Sequence, residues 1–265
     1  MTQLISFIGN KNKEGKKNGF GIQTWRDGSK YIGNYEKDEA QGWGIFHYAN
    51  GDIYKGQFSK EITDGYGEYY HENGAVYYGY WKGDTQFGIG YEVWYDSSTY
   101  YGTYNNGKKD GIGTYLWQDK SMYQGEWKNN IMEGFGIYHF VNGRIYQGEW
   151  KDSKINGYGE FTWAEGKKYY GFYKDDKKDG FWIYYWPGDK FLIGFWCEGK
   201  QEGLGKYIKE GKVKYGNWKD GKNVKHFKDE DLFFNSFQEK DEKYSVYFHW
   251  DVNRLKQYME IEWII

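Results

Sequence analysis

Cysteine, proline and histidine are scarce in this chain. Of 265 residues, one is cysteine, one is proline and five are histidine. The single cysteine, Cys197, excludes an intramolecular disulfide and a cysteine-based metal cage, as is typical of a reducing compartment. The N-terminus lacks a signal-peptide pattern, and no apolar run approaches membrane-spanning length. These absences predict a soluble, cytoplasmic protein.

An excess of charge of either sign is also lacking. The 36 Lys and Arg residues nearly match the 38 Asp and Glu residues, for a net charge of -2. Without a sustained positive field, the sequence predicts no nucleic-acid partner, and binding to an anionic membrane is disfavoured. One basic group, Lys11 to Lys17, is interpreted as a solvated loop.

Aromatic residues and glycine are abundant. Tyr, Trp and Phe make up 23% of the chain, and there are 39 glycines. Because each ring buries a large area and glycine supplies turns, this composition favours strands joined by glycine turns.

An aromatic-x-Gly-x-aromatic motif recurs with a period of 23 residues. It runs from Tyr31–Tyr35 to Tyr169–Tyr173 and continues in weaker form at Leu192–Trp196 and Lys214–Trp218. A Gly-x-Gly motif keeps the same step from Gly19 onward, except at Gly180, where Trp182 replaces the second glycine. We expect a local distortion at Trp182. The sequence therefore predicts about nine hairpin repeats of 23 residues.

Each repeat contains a strand, a loop, a second strand and a turn. The turns include Asp27-Gly28, Asn50-Gly51, Asn73-Gly74 and Asn142-Gly143, which are strong signals for two-residue hairpin turns. We expect positive φ at both central residues of these turns.

These patterns predict an all-β fold, an elongated single-layer twisted antiparallel sheet in which rings lie over bare glycine backbone. Two columns of rings should form stacked ladders, and Trp127 and Trp150 should be buried beside them. The ladder positions include Phe46, Tyr69, Tyr115, Tyr138, Phe161 and Tyr184 in one column and Trp94, Trp117 and Trp163 in the other.

The repeated Tyr-x-Gly-x-Trp, Gly-x-Gly and turn glycine resemble the MORN (membrane occupation and recognition nexus) repeat. Tyr123–Trp127 and Tyr146–Trp150 are similar to its consensus, and the resemblance covers about residues 7 to 227. It implies a single-layer sheet that binds proteins, and sometimes lipids, through its faces. By architecture the chain resembles bare arrays such as the radial-spoke-head proteins of the ciliary axoneme.

No residue set indicates catalysis. His47 and His139 lie four repeats apart, and the other histidines lack a Cys or His at ligand spacing, so no metal site is predicted. The Gly-x-Gly pairs lie inside strands, and no nucleophile elbow is present. The sequence predicts no enzyme and no cofactor.

Two apolar patches on the sheet face opposite the glycines are candidate partner-binding sites. The larger comprises Tyr170, Phe172, Phe181, Ile183, Ile193, Phe195 and Leu204. The smaller comprises Tyr78, Tyr80, Ile89 and Tyr91. The alternative for the larger patch is that the chain's own tail covers it.

The chain is predicted to consist of a repeat array over residues 1–227, with degenerate end units, and a non-repeat tail over 228–265. The tail should cap the last strand or dock on a partner, with a short helix over 252–261.

The leading hypothesis is a non-catalytic scaffold in a cytoskeletal assembly, in the cilium or axoneme, with other protein subunits as partners. The alternative is a membrane adaptor that binds acidic phospholipids. A monomer and a homodimer are both compatible with the sequence.

Overall fold

The computed structural model describes residues 4–236, 248–249 and 252–261. Its 21 strands belong to one open antiparallel sheet, which confirms the predicted all-β fold of hairpin repeats. The chain divides into two compact units, Met1–Ile131 (unit 1) and Met132–Ile265 (unit 2).

In unit 1 each strand pairs with the next one along the chain. The strands are β1 Leu4–Lys11, β2 Lys17–Trp25, β3 Lys30–Glu36, β4 Glu39–His47, β5 Ile53–Ser59, β6 Ile62–Tyr70, β7 Val76–Lys82, β8 Thr85–Val93, β9 Thr99–Asn105, β10 Lys108–Leu116 and β11 Met122–Lys128.

Unit 2 continues the pattern, with a short β18 beside β17 and direct pairing of β17 with β19. The strands are β12 Ile131–His139, β13 Ile145–Lys151, β14 Lys154–Thr162, β15 Lys168–Lys174, β16 Lys177–Trp186, β17 Lys190–Cys197, β18 Lys200–Gln201, β19 Gly203–Lys209, β20 Lys212–Lys219 and β21 Lys222–Phe227. Helices α1 Glu230–Phe234 and α2 Val252–Ile261 follow the sheet.

The buried tyrosine of each Tyr-x-Gly motif defines what we call the inner face of the sheet. Glycines of neighbouring strands lie opposite each other, as in the pair Gly148 and Gly159. The ring of Tyr146 lies over this pair and is fully buried. Its hydroxyl donates to the carbonyl oxygen of Glu149 at 3.1 Å. Five other first tyrosines make the same bond, namely Tyr31, Tyr54, Tyr77, Tyr100 and Tyr123.

Trp127 and Trp150 are buried on the inner face, as the sequence predicts. Each is 7% exposed. The Nε1 atom of Trp127 donates to the carbonyl oxygen of Gly113, and that of Trp150 to Gly136, both at 3.2 Å. Each tryptophan therefore joins its strand to the preceding repeat through packing and a hydrogen bond.

The two predicted ladder columns contact each other, although in unit 1 the non-aromatic Glu92 occupies one position of the first column. In unit 1, Tyr115 lies 5.2 Å from Trp94 and 4.6 Å from Trp117 between ring centroids. In unit 2, Tyr184 lies 5.7 Å from Trp163. These rings are half-buried and cover the fully buried tyrosines.

Hairpin turns lie at the predicted Asp-Gly and Asn-Gly positions, but the predicted two-residue type with positive φ at both residues is wrong there. At Asp27-Gly28 only the glycine has positive φ, and the loop closes through Trp25 N–H donating to the Ser29 carbonyl oxygen. The Asp27 carboxylate accepts from the backbone N–H and the hydroxyl of Ser29, which fixes this wider loop. Two-residue turns with positive φ at both positions lie at the opposite ends of the strands, as at Lys37-Asp38 and Asn129-Asn130.

These two-residue turns bond to the preceding repeat. The Asp176 carboxylate accepts from Ile155 N–H at 2.8 Å, while Asp176 N–H donates to the Ile155 carbonyl oxygen at 2.9 Å. Asp84 makes the same pair of bonds with Thr63. A turn side chain thus satisfies backbone groups that the strand ladder leaves free.

The strand ladder is regular at Trp182, which lies opposite Gly194. The replacement of glycine by tryptophan instead changes the packing of the surrounding side chains. The buried Trp182 ring stacks on Tyr169 at 6.1 Å. Among the described residues, the Tyr169 hydroxyl has no hydrogen-bond partner, unlike that of the other first tyrosines.

Candidate interaction surfaces

A column of large apolar side chains runs along the outer face of unit 1, opposite the buried tyrosines. Each member stands between the two glycines of a Gly-x-Gly motif. The column consists of Phe20, Trp43, Tyr66, Ile89 and Ile112. Their exposed fractions range from 38% at Tyr66 to 63% at Ile112.

Neighbouring strands widen this surface around β6 to β9. Tyr80 lies opposite Tyr66, and Tyr101 lies opposite Tyr91, and all four are exposed. Tyr78 stacks on Tyr91 at 6.4 Å between centroids. The structure therefore brings together the four residues of the smaller predicted patch, Tyr78, Tyr80, Ile89 and Tyr91.

Sequence reasoning missed most of the outer column. Phe20, Trp43, Tyr66 and Ile112 were not among the predicted docking residues, although they share the repeat phase of Ile89. The signal was available, because the residue between the glycines is apolar in every complete Gly-x-Gly motif of the array.

The larger predicted patch is covered. Tyr170, Phe181, Ile183, Ile193 and Leu204 are buried in one apolar cluster. The cluster also contains Phe233 of α1, Phe248, and Leu255 and Met259 of α2. In the structure the chain's own tail covers the patch, as the alternative interpretation predicts. These five side chains are therefore not accessible to a partner.

Two members of that patch lie at its margin. Phe172 is 37% exposed, and Phe195 is half-buried with its ring 6.0 Å from that of Phe248. Polar contacts hold the tail in place. The Nζ of buried Lys206 donates to the Phe248 carbonyl oxygen at 2.6 Å, and Lys256 pairs with Asp189 at 2.5 Å.

We expect Leu255→Asp to release α2 from the sheet, because it places a carboxylate in a fully buried apolar position. The exposed cluster should then bind an apolar dye such as ANS and promote association, both measurable by fluorescence and light scattering. Asn253→Asp adds the same charge at an exposed position of α2 and should change neither dye binding nor association. Equal behaviour of the two variants would contradict this packing.

The inner-face tyrosines act as hydrogen-bond donors. Burial raises the pKa of Tyr31, Tyr54, Tyr77 and Tyr100 far above the usual value, so their hydroxyls stay protonated even at alkaline pH where an exposed tyrosine ionises. Burial, together with the charge of Glu92, also raises the pKa of Tyr104, whose hydroxyl donates to Glu92 at 2.7 Å.

The part of the chain that the structure describes contains no group of three or more His, Cys, Asp or Glu side chains placed to hold a metal ion. Within the same residues, no helix is long and apolar enough to cross a membrane. An open groove in unit 2 has a volume of about 1190 Å³ and a lining of both charge signs, including Lys174, Asp179, Trp196 and Glu202.

The fold and its surfaces define a class of protein, the hairpin-repeat sheet that presents faces to other molecules. The MORN repeat family matches seven stretches, which together cover more than half of the 265 residues. They are residues 13–30, 31–53, 54–76, 100–122, 123–143, 146–168 and 193–210. The chain belongs to the MORN repeat family, whose repeats mediate protein or membrane interactions and whose fold is typically non-catalytic.

Solved structures that match this chain include the wild-type TCP10 domain of Danio rerio CPAP. It shares 13% identity at a TM-score of 0.45, over 78% of this chain and 99% of that one. The TCP10c domain of Drosophila melanogaster Sas-4 shares 14% identity at a TM-score of 0.35, over 66% and 100%. A comparison with curated proteins gave no match.

Proposed function

We propose that this chain is a non-catalytic protein-interaction scaffold that binds partner proteins on the outer face of unit 1. One observation carries the proposal. The positions between the glycines are exposed and apolar throughout unit 1. In unit 2, Phe135 at the same position is also exposed, but Phe181 and Leu204 are buried by the chain's own tail. Contiguous exposed apolar surface of this kind is typical of an interface.

The composition of the outer face also favours a protein partner. Its exposed members include Trp43, Tyr66, Tyr80, Tyr91 and Tyr101. Tyrosine and tryptophan are enriched at interface hot spots because a large rigid ring loses little conformational entropy on binding. The predicted residues Tyr78, Tyr80, Ile89 and Tyr91 form the part of this face that we propose as its centre.

A more specific proposal concerns the cellular location of the chain and the assembly in which it acts. We propose that the chain acts in the cytoplasm as a structural subunit of a cytoskeletal assembly in the cilium or axoneme, similar to radial-spoke-head proteins, with the array over residues 1–227 as its binding part. This rests on resemblance among MORN arrays. Imaging of the tagged chain in ciliated cells tests it, and a distribution that excludes axonemes and basal bodies would reject it.

The docking face is tested with the double variant Trp43→Ser, Ile89→Ser. We expect proteins that co-purify with the native chain to be lost, without a change in the thermal unfolding midpoint, because both side chains are exposed. The matched control is Tyr95→Ser, Val141→Ser, which removes two exposed apolar side chains from turns. Loss of the same proteins in both variants, or in neither, contradicts the proposal.

The membrane-adaptor alternative is an outcome of a second test. Flotation with phosphatidylcholine vesicles, with and without phosphatidylserine, should recover no chain in either case. Salt-sensitive recovery that requires phosphatidylserine would favour the adaptor instead.

A further inference from the structure

The inner face of unit 2 carries a row of cations that recur one repeat apart, at Arg144, Lys167 and Lys190. Each lies over half-buried rings of the ladder. The Arg144 guanidinium lies 4.9 Å from the centroid of Phe140, Lys167 Nζ lies 4.3 Å from Trp163, and Lys190 Nζ lies 4.4 Å from Trp186. Such contacts fix the positive heads on the aromatic surface.

The repeat itself does not require a cation at this position. The equivalent residues of unit 1 are Ser29, Asp52, Ala75, Ser98 and Ser121. Ser29, Ser98 and Ser121 hydrogen-bond to the aspartate two residues earlier in the turn. In unit 2 the Nε of Arg144 donates to Asn142 Oδ1 at 3.0 Å, and Lys167 pairs with Glu165, so these side chains also contact the turn residue two positions earlier. Because serine makes the equivalent contact without a charge in unit 1, the turn does not require a cation, and the row of cations is a feature of unit 2.

Lys178 is a fourth cation beside this row. Its Nζ lies 4.1 Å from the ring centroid of Tyr169, 5.0 Å from Trp196 and 5.3 Å from Tyr184. Lys167 approaches the same Tyr184 ring at 5.6 Å. Burial, and secondarily the charge of Lys167, lowers the pKa of Lys178 to about 8.

Unit 1 has a carboxylate where unit 2 has none. Lys109 and Tyr104 stand three repeats before Lys178 and Tyr173, and both interact with Glu92. Phe161 occupies the position of Glu92 in unit 2. Consequently the buried Tyr173 hydroxyl has no hydrogen-bond partner among the described residues, and Lys178 has no counter-ion there.

The described residues supply little compensating charge. The ion pairs of these four cations within the described chain amount to one, between Lys167 Nζ and Glu165 Oε1 at 3.8 Å. That carboxylate is largely exposed, and the nearby Asp189 is paired with Lys256 of α2. The row therefore holds excess positive charge although the chain as a whole is slightly acidic.

We propose that Arg144, Lys167, Lys178 and Lys190 form a binding site for an extended acidic segment of a partner protein. Successive repeats are two strands, or about 9.6 Å, apart. Three residues of a chain in the polyproline II conformation span about 9.3 Å, and every third side chain then lies on the same side of the segment. A segment with a carboxylate at every third residue would therefore place one acid near each repeat. Its intervening residues would lie on the half-buried rings, and each carboxylate would meet a cation already held in place.

A peptide fits this site better than a membrane does. Lipid headgroups bind to clusters of basic residues that project toward the bilayer. Here the cations follow the repeats along the sheet, and each packs against aromatic rings instead of projecting into solvent. This site belongs to the inner face of unit 2 and includes no residue of the outer column, so it does not depend on the function proposed for unit 1.

The test uses a fluorescein-labelled peptide of three Ser-Glu-Thr repeats, with Ser-Gln-Thr as its neutral counterpart. By fluorescence anisotropy at low salt, the acidic peptide should bind the full chain about tenfold more tightly than the neutral one. The variant Arg144→Gln, Lys167→Gln, Lys190→Gln should remove this difference, and added salt should weaken it. Lys167→Arg, Lys190→Arg should retain it.

The matched control is Lys37→Gln, Lys60→Gln, Lys128→Gln, which removes the same charge from exposed residues in or next to two-residue turns of unit 1. It should bind the acidic peptide like the native chain. If the triple variant has a lowered thermal unfolding midpoint, the single variant Lys190→Gln should still weaken binding more than Lys128→Gln does. Equal binding of the two peptides, equal loss in test and control variants, or binding to phosphatidylserine vesicles alone would overturn the proposal.

Discussion

Gly159→Ala is expected to lower the free energy of unfolding by about 3 kcal/mol. The new Cβ would lie 2.5 Å from Cε2 and 2.6 Å from Cζ of Tyr146, closer than non-bonded carbons approach. Tyr146 is fully buried and its hydroxyl is hydrogen-bonded to the Glu149 carbonyl oxygen, so the ring cannot shift to accommodate the added methyl group. Urea unfolding, followed by tryptophan fluorescence, measures the loss.

A double-mutant cycle separates this clash from an effect on the backbone. In a Tyr146→Ala background the ring is gone, and Gly159→Ala should cost much less than in the native chain. The φ of Gly159 is not in the left-handed region, so alanine fits the backbone there. Equal costs in the two backgrounds would show that the ring does not lie over Gly159.

Trp150→Ala should destabilise the chain by roughly 3 to 5 kcal/mol. The side chain is 7% exposed, packs on Tyr146 at 5.4 Å and donates from Nε1 to the Gly136 carbonyl oxygen. Its loss leaves a cavity between two repeats and a carbonyl oxygen with one partner fewer. Trp127→Ala should behave alike, because its Nε1 donates to Gly113 in the same geometry.

Trp43→Ala is the control for Trp150→Ala, because it makes the same substitution at an exposed position. Trp43 is 56% exposed on the outer face, so its replacement should cost less than about 1 kcal/mol. Similar unfolding midpoints in urea for Trp43→Ala and Trp150→Ala would mean that the two faces of the sheet are assigned the wrong way round.

The sequence predicts the fold class and the facing of the strands because two periods act together. The 23-residue repeat locates the strands, and the alternation of side chains then places Tyr146, Gly148 and Trp150 on one face. On that face the rings of Tyr146 and Trp150 lie beside glycines whose bare backbone they can cover, and both are buried.

Other features depend on contacts that periodicity does not encode. Asn-Gly and Asp-Gly favour two-residue turns, yet at Asp27 the side chain bonds to Ser29 and stabilises a wider loop instead. The covering of the larger patch was left open, because Phe248 and Leu255 lie outside the repeat and carry no phase that would place them on Ile183 or Ile193.

The bonds between each two-residue turn and the preceding repeat restrict how such a chain can change in length. Asp176 reaches Ile155, and Asp84 reaches Thr63, across 21 residues in both cases. Removing one residue from a strand would break that spacing and move the following side chains to the other face. Removing a whole unit of 23 would restore every partner, so duplication or loss of complete repeats is the change in size that this architecture tolerates.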